Sequence, residues 1–171
     1  MPTAPASARK SEAARTRRSS AGLLVYRRRS GGLEILLVHP GGPFWAKRDL
    51  GAWSIPKGEF SDGEAPEAAA RREFEEELGI ATPDTPLQPL GEIVQAGGKR
   101  VTAFAMEGDL EADAIHSNEF EMEWPPKSGR RRSFPEVDRA EWFDLAEARR
   151  KIIPGQLPLL ERLAAALSRA R

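Results

Sequence analysis

The chain has 171 residues, 26 acidic and 26 basic side chains, 40% hydrophobic residues and no cysteine. That length and apolar content suffice for one domain with its own core, and the absence of thiols excludes a disulfide framework, a thiolate metal centre and a cysteine nucleophile. No apolar run approaches the ~18 residues that cross a bilayer, and the N-terminus lacks the apolar core of a secretory signal, so a soluble cytoplasmic protein without membrane partners is expected.

Charge is unevenly spread. Residues 1–29 hold eight Lys/Arg and a single acid, Glu12, which leaves 25 acidic against 18 basic side chains in the rest. Residues 1–19, rich in Ala, Ser, Pro and Arg, have no apolar period and read as a disordered basic tail; an organelle transit peptide has a similar composition. A single domain is expected over 20–171.

Taken in chain order, AGLLVYRRR (21–29) and LEILLVHP (33–40) read as strands joined by SGG in a hairpin. GGPFWAKRDLG (41–51) is a loop with turn residues at both ends, and AWSIPKG (52–58) is extended, with Pro56 barring a helix. Turn residues at 61–63, Pro66 in a first-turn position and Gly79 as a stop predict a helix over 65–78. LQPLGEIVQ (87–95) and KRVTAFAME (99–107) form a second strand pair about Gly97 and Gly98. Residues 108–135 show little period and read as a long functional loop. RAEWFDL (139–145) is a strand running into a helix capped by Asp144, and Leu159, Leu160, Leu163 and Leu167 mark one face of a final helix. This order gives a mixed α/β domain.

The 65–78 helix ends in REFEEELGI (72–80), with glutamates at 73, 75, 76 and 77. At about 100° per residue, with Glu73 at zero, Glu77 falls near 40° and Glu76 near −60°, beside the apolar face of Ala70, Phe74 and Leu78. Glu75 points away. Like charges at i,i+4 and acids in the last turn oppose both pair electrostatics and the helix dipole. Arg71 and Arg72 offset part of this through i,i+4 pairs with Glu75 and Glu76. The remainder is either a solvated acidic helix end or a site for a divalent cation with oxygen ligands, Mg²⁺ or Mn²⁺.

Reading back from the cluster, Gly58 is followed after five residues by Glu64, and after seven more by Arg72-Glu73-Phe74-Glu75-Glu76-Glu77-Leu78-Gly79-Ile80. Residues 58–80 resemble the 23-residue box of the Nudix hydrolases at every specified position. The resemblance implies an α/β/α sandwich with a mixed β-sheet and the box helix on one side. It implies metal-dependent hydrolysis of a nucleoside diphosphate linked to another group, by water attack at phosphorus. On the same resemblance, Gly58 through its carbonyl and Glu73, Glu76 and Glu77 are metal ligands. Glu73 and Glu76 are catalytic, Arg72 orients the carboxylates, and Glu64 supports the loop.

Pro-Lys-Gly at 56–58 resembles the branch that cleaves dinucleoside polyphosphates such as diadenosine tetraphosphate, with Lys57 either a phosphate contact or a surface lysine. Lys47 and Arg48 read first as surface residues and second as phosphate contacts, and Phe44, Trp45 and Trp124 could stack on a base or pack the loops. The candidate substrate contacts are thus Lys57, Arg48 and Trp45. A glutamate from a late loop serves as base in parts of the family, for which Glu119, Glu121 and Glu123 are the candidates. KSGRRR (127–132) is a basic stretch, a phosphate contact or solvated. His39 and His116 lack ligand spacing and read as structural. A nucleoside triphosphate, a nucleotide sugar or an RNA 5′ end are the alternative substrates; other nucleic acid is not expected. A nucleotide-binding module without turnover is a further alternative, though such domains usually lose box glutamates. An isomerase of isopentenyl diphosphate would use a cysteine that is absent.

Overall fold

A computed structural model of the chain describes residues 19–170. The expected basic tail lies outside the described residues except for Ser19, which opens the first strand. The elements are β1 (Ser19–Arg29), β2 (Gly32–Pro40), β3 (Lys57–Glu59), α1 (Pro66–Leu78), β4 (Gln88–Val94), β5 (Arg100–Glu107), β6 (Glu119–Glu123), β7 (Arg131–Pro135), β8 (Val137–Asp144), α2 (Leu145–Lys151) and α3 (Leu157–Arg169).

Strand alternation builds two cores. In β1, Leu23 and Val25 face one side of the sheet and Leu24 and Tyr26 the other, as the two-residue period requires. The first side packs Ala69, Ala70, Phe74 and Leu78 of α1, with Leu36, Val38 and Met106. The second takes Leu159, Leu160 and Leu163 of α3, Ala148 of α2 and Trp53. The sheet is thus enclosed between the box helix and the two C-terminal helices, an α/β/α sandwich.

The strand order is β4-β5-β1-β2-β8, with β3 also paired to β1. β1 runs parallel to β5 and antiparallel to β2 and β3, so the sheet is mixed. One edge of β1 is shared: Ser20–Gly22 pair with β3, and Tyr26–Arg29 pair with β2. Gly22 makes this possible, because a Cβ there would lie 2.7 Å from Ile55 Cδ1. The approach to the box is fixed from the other side by buried Gln156, whose Oε1 accepts from Ile55 N–H at 2.9 Å.

Residues 108–135 are more ordered than the sequence suggested. They contain a short 3₁₀ turn at Ala112–Ala114 and an antiparallel hairpin of β6 and β7. Phe120 and Met122 alternate with the glutamates of β6, so one face is half-buried and the other exposed. Asp144 caps α2 as anticipated, accepting from Glu147 N–H at 2.7 Å. Among the described residues no helix is long and apolar enough to cross a membrane.

Candidate active site

Helix α1 begins at Pro66 and ends on Gly79, whose φ of 66° is left-handed and whose N–H returns to Glu75 O. Its buried residues Ala70, Phe74 and Leu78 hold the helix on the sheet. That brings Glu73 and Glu77 of the neighbouring stripe against the backbone of β3, while Glu76 stays exposed to water. Gly58, paired with Ala21 of β1, turns toward this stripe. A Cβ on Gly58 would fall 1.9 Å from Glu73 Oε2, so only glycine lets the carboxylate come so close to the chain.

Arg72 is the hub of the charges. It grips Glu64 with two hydrogen bonds of 2.7 Å each, Glu73 Oε1 at 2.8 Å and Glu76 Oε2 at 3.1 Å. The two-pronged grip holds the Glu64 carboxyl below the usual carboxylate range, and it raises the guanidinium further above its own. Arg71 behaves otherwise than its spacing suggested. It donates to the carbonyls of Pro83 and Thr85, while Glu75 accepts from Thr82 N–H and Oγ1–H at 2.9 and 2.8 Å. Both therefore tie down the segment after the helix instead of each other.

Glu77 is the carboxylate under most strain. Burial pushes its pKa up to about 7, against a hydrogen bond of 3.1 Å from Lys57 N–H that favours the anion. Glu136, at the β7–β8 junction, and Glu73 add like charge. Lys57 itself is half-buried, and burial, with Lys99 beside it, holds its ammonium below the ordinary lysine range. The sheet register explains the meeting: Ser20 of β1 pairs with Glu59 of β3 on one edge and Val101 of β5 on the other. Lys99, just before β5, is thereby brought to Lys57, and its Nζ also lies 4.0 Å from Glu59 Oε1.

Glu119, Glu121 and Glu123 stand on the exposed face of β6, where Ser133 Oγ, Arg131 and Gly129 N–H respectively engage them. The late acid that adjoins the stripe is Glu136. Its N–H bonds to Asn118 O at 2.8 Å, and Asn118 Nδ2 donates to Glu76 O at 3.2 Å, locking this junction onto the end of α1. His39 is fully buried, its Nδ1 paired with Asp138 at 2.9 Å and its Nε2 with Arg48 O at 2.6 Å; it anchors the 41–51 loop. His116 meets α1 through its backbone, His116 N–H donating to Leu78 O at 2.7 Å. Trp45 and Arg48 lie together on the 41–51 loop, the guanidinium 5.4 Å from the ring centroid.

Among the described residues no three His, Asp or Glu side chains form a ready-made cation cage. Arg72 takes up oxygens of Glu73 and Glu76, and Glu77 is turned to Lys57 N–H. The donors nevertheless fit a hard divalent cation in kind, being carboxylate oxygens ranged along a glycine backbone with no side chain in between.

A NUDIX domain family profile matches residues 16–163. The chain belongs to the Nudix family. Among solved structures, an Ap4A hydrolase from C. elegans in a binary complex is similar at 23% identity and TM-score 0.58, covering 87% of this chain and 98% of that one. The NUDIX domain of NrtR from Shewanella oneidensis, complexed with ADP ribose, is similar at 17% identity and TM-score 0.62, covering 89% of each chain. A mutT/nudix family protein from Listeria innocua is similar at 21% identity and TM-score 0.58, with coverage of 89% and 94%. These likenesses establish the fold. None of the curated protein sequences matches. As a Nudix protein the chain is a pyrophosphohydrolase, of a family whose enzymes generally use divalent metal ions.

Proposed function

We propose that this Nudix protein hydrolyses a dinucleoside polyphosphate such as diadenosine tetraphosphate, using Mg²⁺ or Mn²⁺ as its cation. The observation that carries the reading is the pair of lysines, Lys57 and Lys99: the backbone of Lys57 binds Glu77, and the ammonium of Lys99 stands beside that of Lys57. Two ammonium groups held so close repel each other, and an extended phosphate chain resolves the conflict by lying between them.

Glu73, Glu76, Glu77 and the Gly58 carbonyl would hold the cation. Once bound, it would offset phosphate charge and lower the pKa of the attacking water. Arg72 fixes the rotamers of Glu73 and Glu76, and Glu64 fixes Arg72. Glu136, whose charge acts on Glu77, would take the proton from water in this reading, in preference to the three acids of β6, which are exposed and engaged by Ser133, Arg131 and Gly129. Glu76→Gln and Glu77→Gln are each expected to cut turnover at least 10²-fold in a folded protein. Chromatography of products from diadenosine tetraphosphate, ADP-ribose and deoxynucleoside triphosphates tests the substrate. ATP plus AMP from the first, at the highest kcat/KM, is expected; a higher kcat/KM on a triphosphate or on ADP-ribose would overturn the choice.

A further inference from the structure

A buried amide side chain must find its hydrogen bonds inside the protein, so the partners it takes show what it holds together. Gln156 is fully buried, in the 3₁₀ turn Pro154–Gln156 that leads into α3. Ile55 N–H donates to its Oε1 at 2.9 Å, and its Nε2 donates to Gln95 Oε1 at 3.2 Å. The first bond fixes the orientation of the amide. A backbone N–H only donates, so the oxygen of Gln156 faces Ile55 and its nitrogen faces Gln95. One side chain thus ties the approach to β3 to the end of β4.

Each tied segment leads to a lysine. From Ile55 the chain passes to Lys57 through Pro56, whose carbonyl accepts from Leu23 N–H at 3.1 Å. From Gln95 it turns back over Gly97 and Gly98, at φ of 86° and 81°, and Gln95 N–H donates to Lys99 O at 2.8 Å. Gln95 and Lys99 are therefore the two ends of one closed turn, and what holds Gln95 also holds Lys99. Strand pairing places β3 and β5 on opposite edges of β1, with Lys57 paired to Gly22 and Lys99 just ahead of the first paired residue, Arg100. The amide of Gln156 runs between the two segments without passing through β1.

The two lysines are both half-buried, with their ammonium groups side by side, and Lys99 Nζ lies 4.0 Å from Glu59 Oε1. Like charges so placed repel, and long flexible side chains spread apart once their backbones are free to separate. The tie is made of neutral hydrogen bonds, so it holds the backbones together without adding a charge that would compete with an anion. Cations fixed before a ligand arrives lose less freedom on binding it. Glu73 and Glu76 are held separately, by α1 and Arg72. Loosening the tie therefore acts on the lysines and spares the carboxylates.

We propose that Gln156 is a positioning residue for the substrate's phosphate chain: it touches no substrate, and it holds Lys57 and Lys99 at the spacing that lets both meet one chain. This rests on the reading of the lysine pair as a phosphate-chain site, and two measurements separate the two ideas. In steady-state kinetics on diadenosine tetraphosphate, Gln95→Ala is expected to raise KM about fivefold with kcat within twofold, since it cuts the tie and leaves Ile55 N–H bound. Gln156→Met cuts both bonds and is expected to raise KM about tenfold. The double variant should be no worse than Gln156→Met, because Gln95 acts through Gln156. A purely structural amide would lower the melting temperature of Gln156→Met and leave the KM of Gln95→Ala unmoved. That result overturns the proposal, and Gln95→Ala delivers it even where Gln156→Met does not fold. Titration calorimetry with inorganic tripolyphosphate in Mg²⁺ needs no nucleotide. The wild type is expected to bind it, and Gln95→Ala to bind it about fivefold more weakly. A wild type that does not bind tripolyphosphate, or a variant that binds it equally well, overturns the positioning role. A wild type that binds it, with the variant weakened, yet leaves diadenosine tetraphosphate intact overturns only the substrate reading.

Discussion

A methyl group on Gly58 would stand 1.9 Å from Glu73 Oε2, and the atom it meets is the far end of a flexible side chain. Gly58→Ala is therefore expected to fold with a melting temperature within about 3 °C of wild type, since a swung side chain costs little. Its turnover should nonetheless fall at least tenfold, because the displaced carboxylate is a proposed ligand of the cation. Retained activity in a folded Gly58→Ala would show that Glu73 works from elsewhere. Glu77 supplies a test of a different kind. Burial lifts its folded pKa to about 7 from an ordinary 4.5, so between those values the folded state holds a proton that the unfolded chain has released. Stability from this group is thus highest at low pH and is lost as pH rises through about 7. Other acids titrate too, so the difference between Glu77→Gln and wild type isolates it. In chelator-treated protein that difference in melting temperature should be smallest below pH 4.5 and favour the variant increasingly up to pH 8. A difference that does not change with pH would contradict a Glu77 that ionises only as the pH approaches 7.

At the scale of elements, the sequence was legible wherever local chemistry decides the outcome. α1 was located to within one residue because Pro66 and Gly79 act on their own backbone, and α3 because its leucines repeat on one face. Asp144 likewise caps α2 through its own third neighbour, and Asp144→Ala should cost about 1 kcal/mol in urea denaturation with activity intact. A loss of several kcal/mol would mean that this strand–helix junction carries more than a cap. Legibility failed where pairing partners are distant in sequence. The β6–β7 hairpin did carry an alternating signal, Glu-Phe-Glu-Met-Glu, but five residues are too few to separate a strand from a loop with two apolar residues. Lys99 and Glu136 carried no local signal. Lys99 comes to Lys57 only because β5 and β3 share the start of β1, and Glu136 comes to Glu77 only because Asn118 clamps the hairpin root to α1. The box named its own members, and the register of the sheet chose the residues that surround them.

For the molecule as a whole, the acidic stripe is a source of instability that the fold tolerates with one arginine. Arg72 binds Glu64, Glu73 and Glu76, yet Glu77 has a backbone N–H and the charge of Lys57 against like charge from Glu73 and Glu136. A ligand that binds the folded state alone stabilises it by RT ln(1 + [L]/Kd), about 2.7 kcal/mol at a hundredfold excess over Kd. For a domain of this size each kcal/mol moves the melting temperature by roughly 2–4 °C. Millimolar Mg²⁺ should therefore raise the melting temperature of chelator-treated protein by several degrees, and equal ionic strength from NaCl should not, because screening lessens repulsion without bridging it. Glu76→Gln removes a proposed ligand that is bound to Arg72 and exposed, so it should lose the Mg²⁺ shift while keeping its starting stability within about 1 kcal/mol. If Mg²⁺ and matched NaCl act alike on the wild type, the stripe answers to ionic strength and not to a bound cation. If the shift survives Glu76→Gln undiminished, the cation sits elsewhere on the protein.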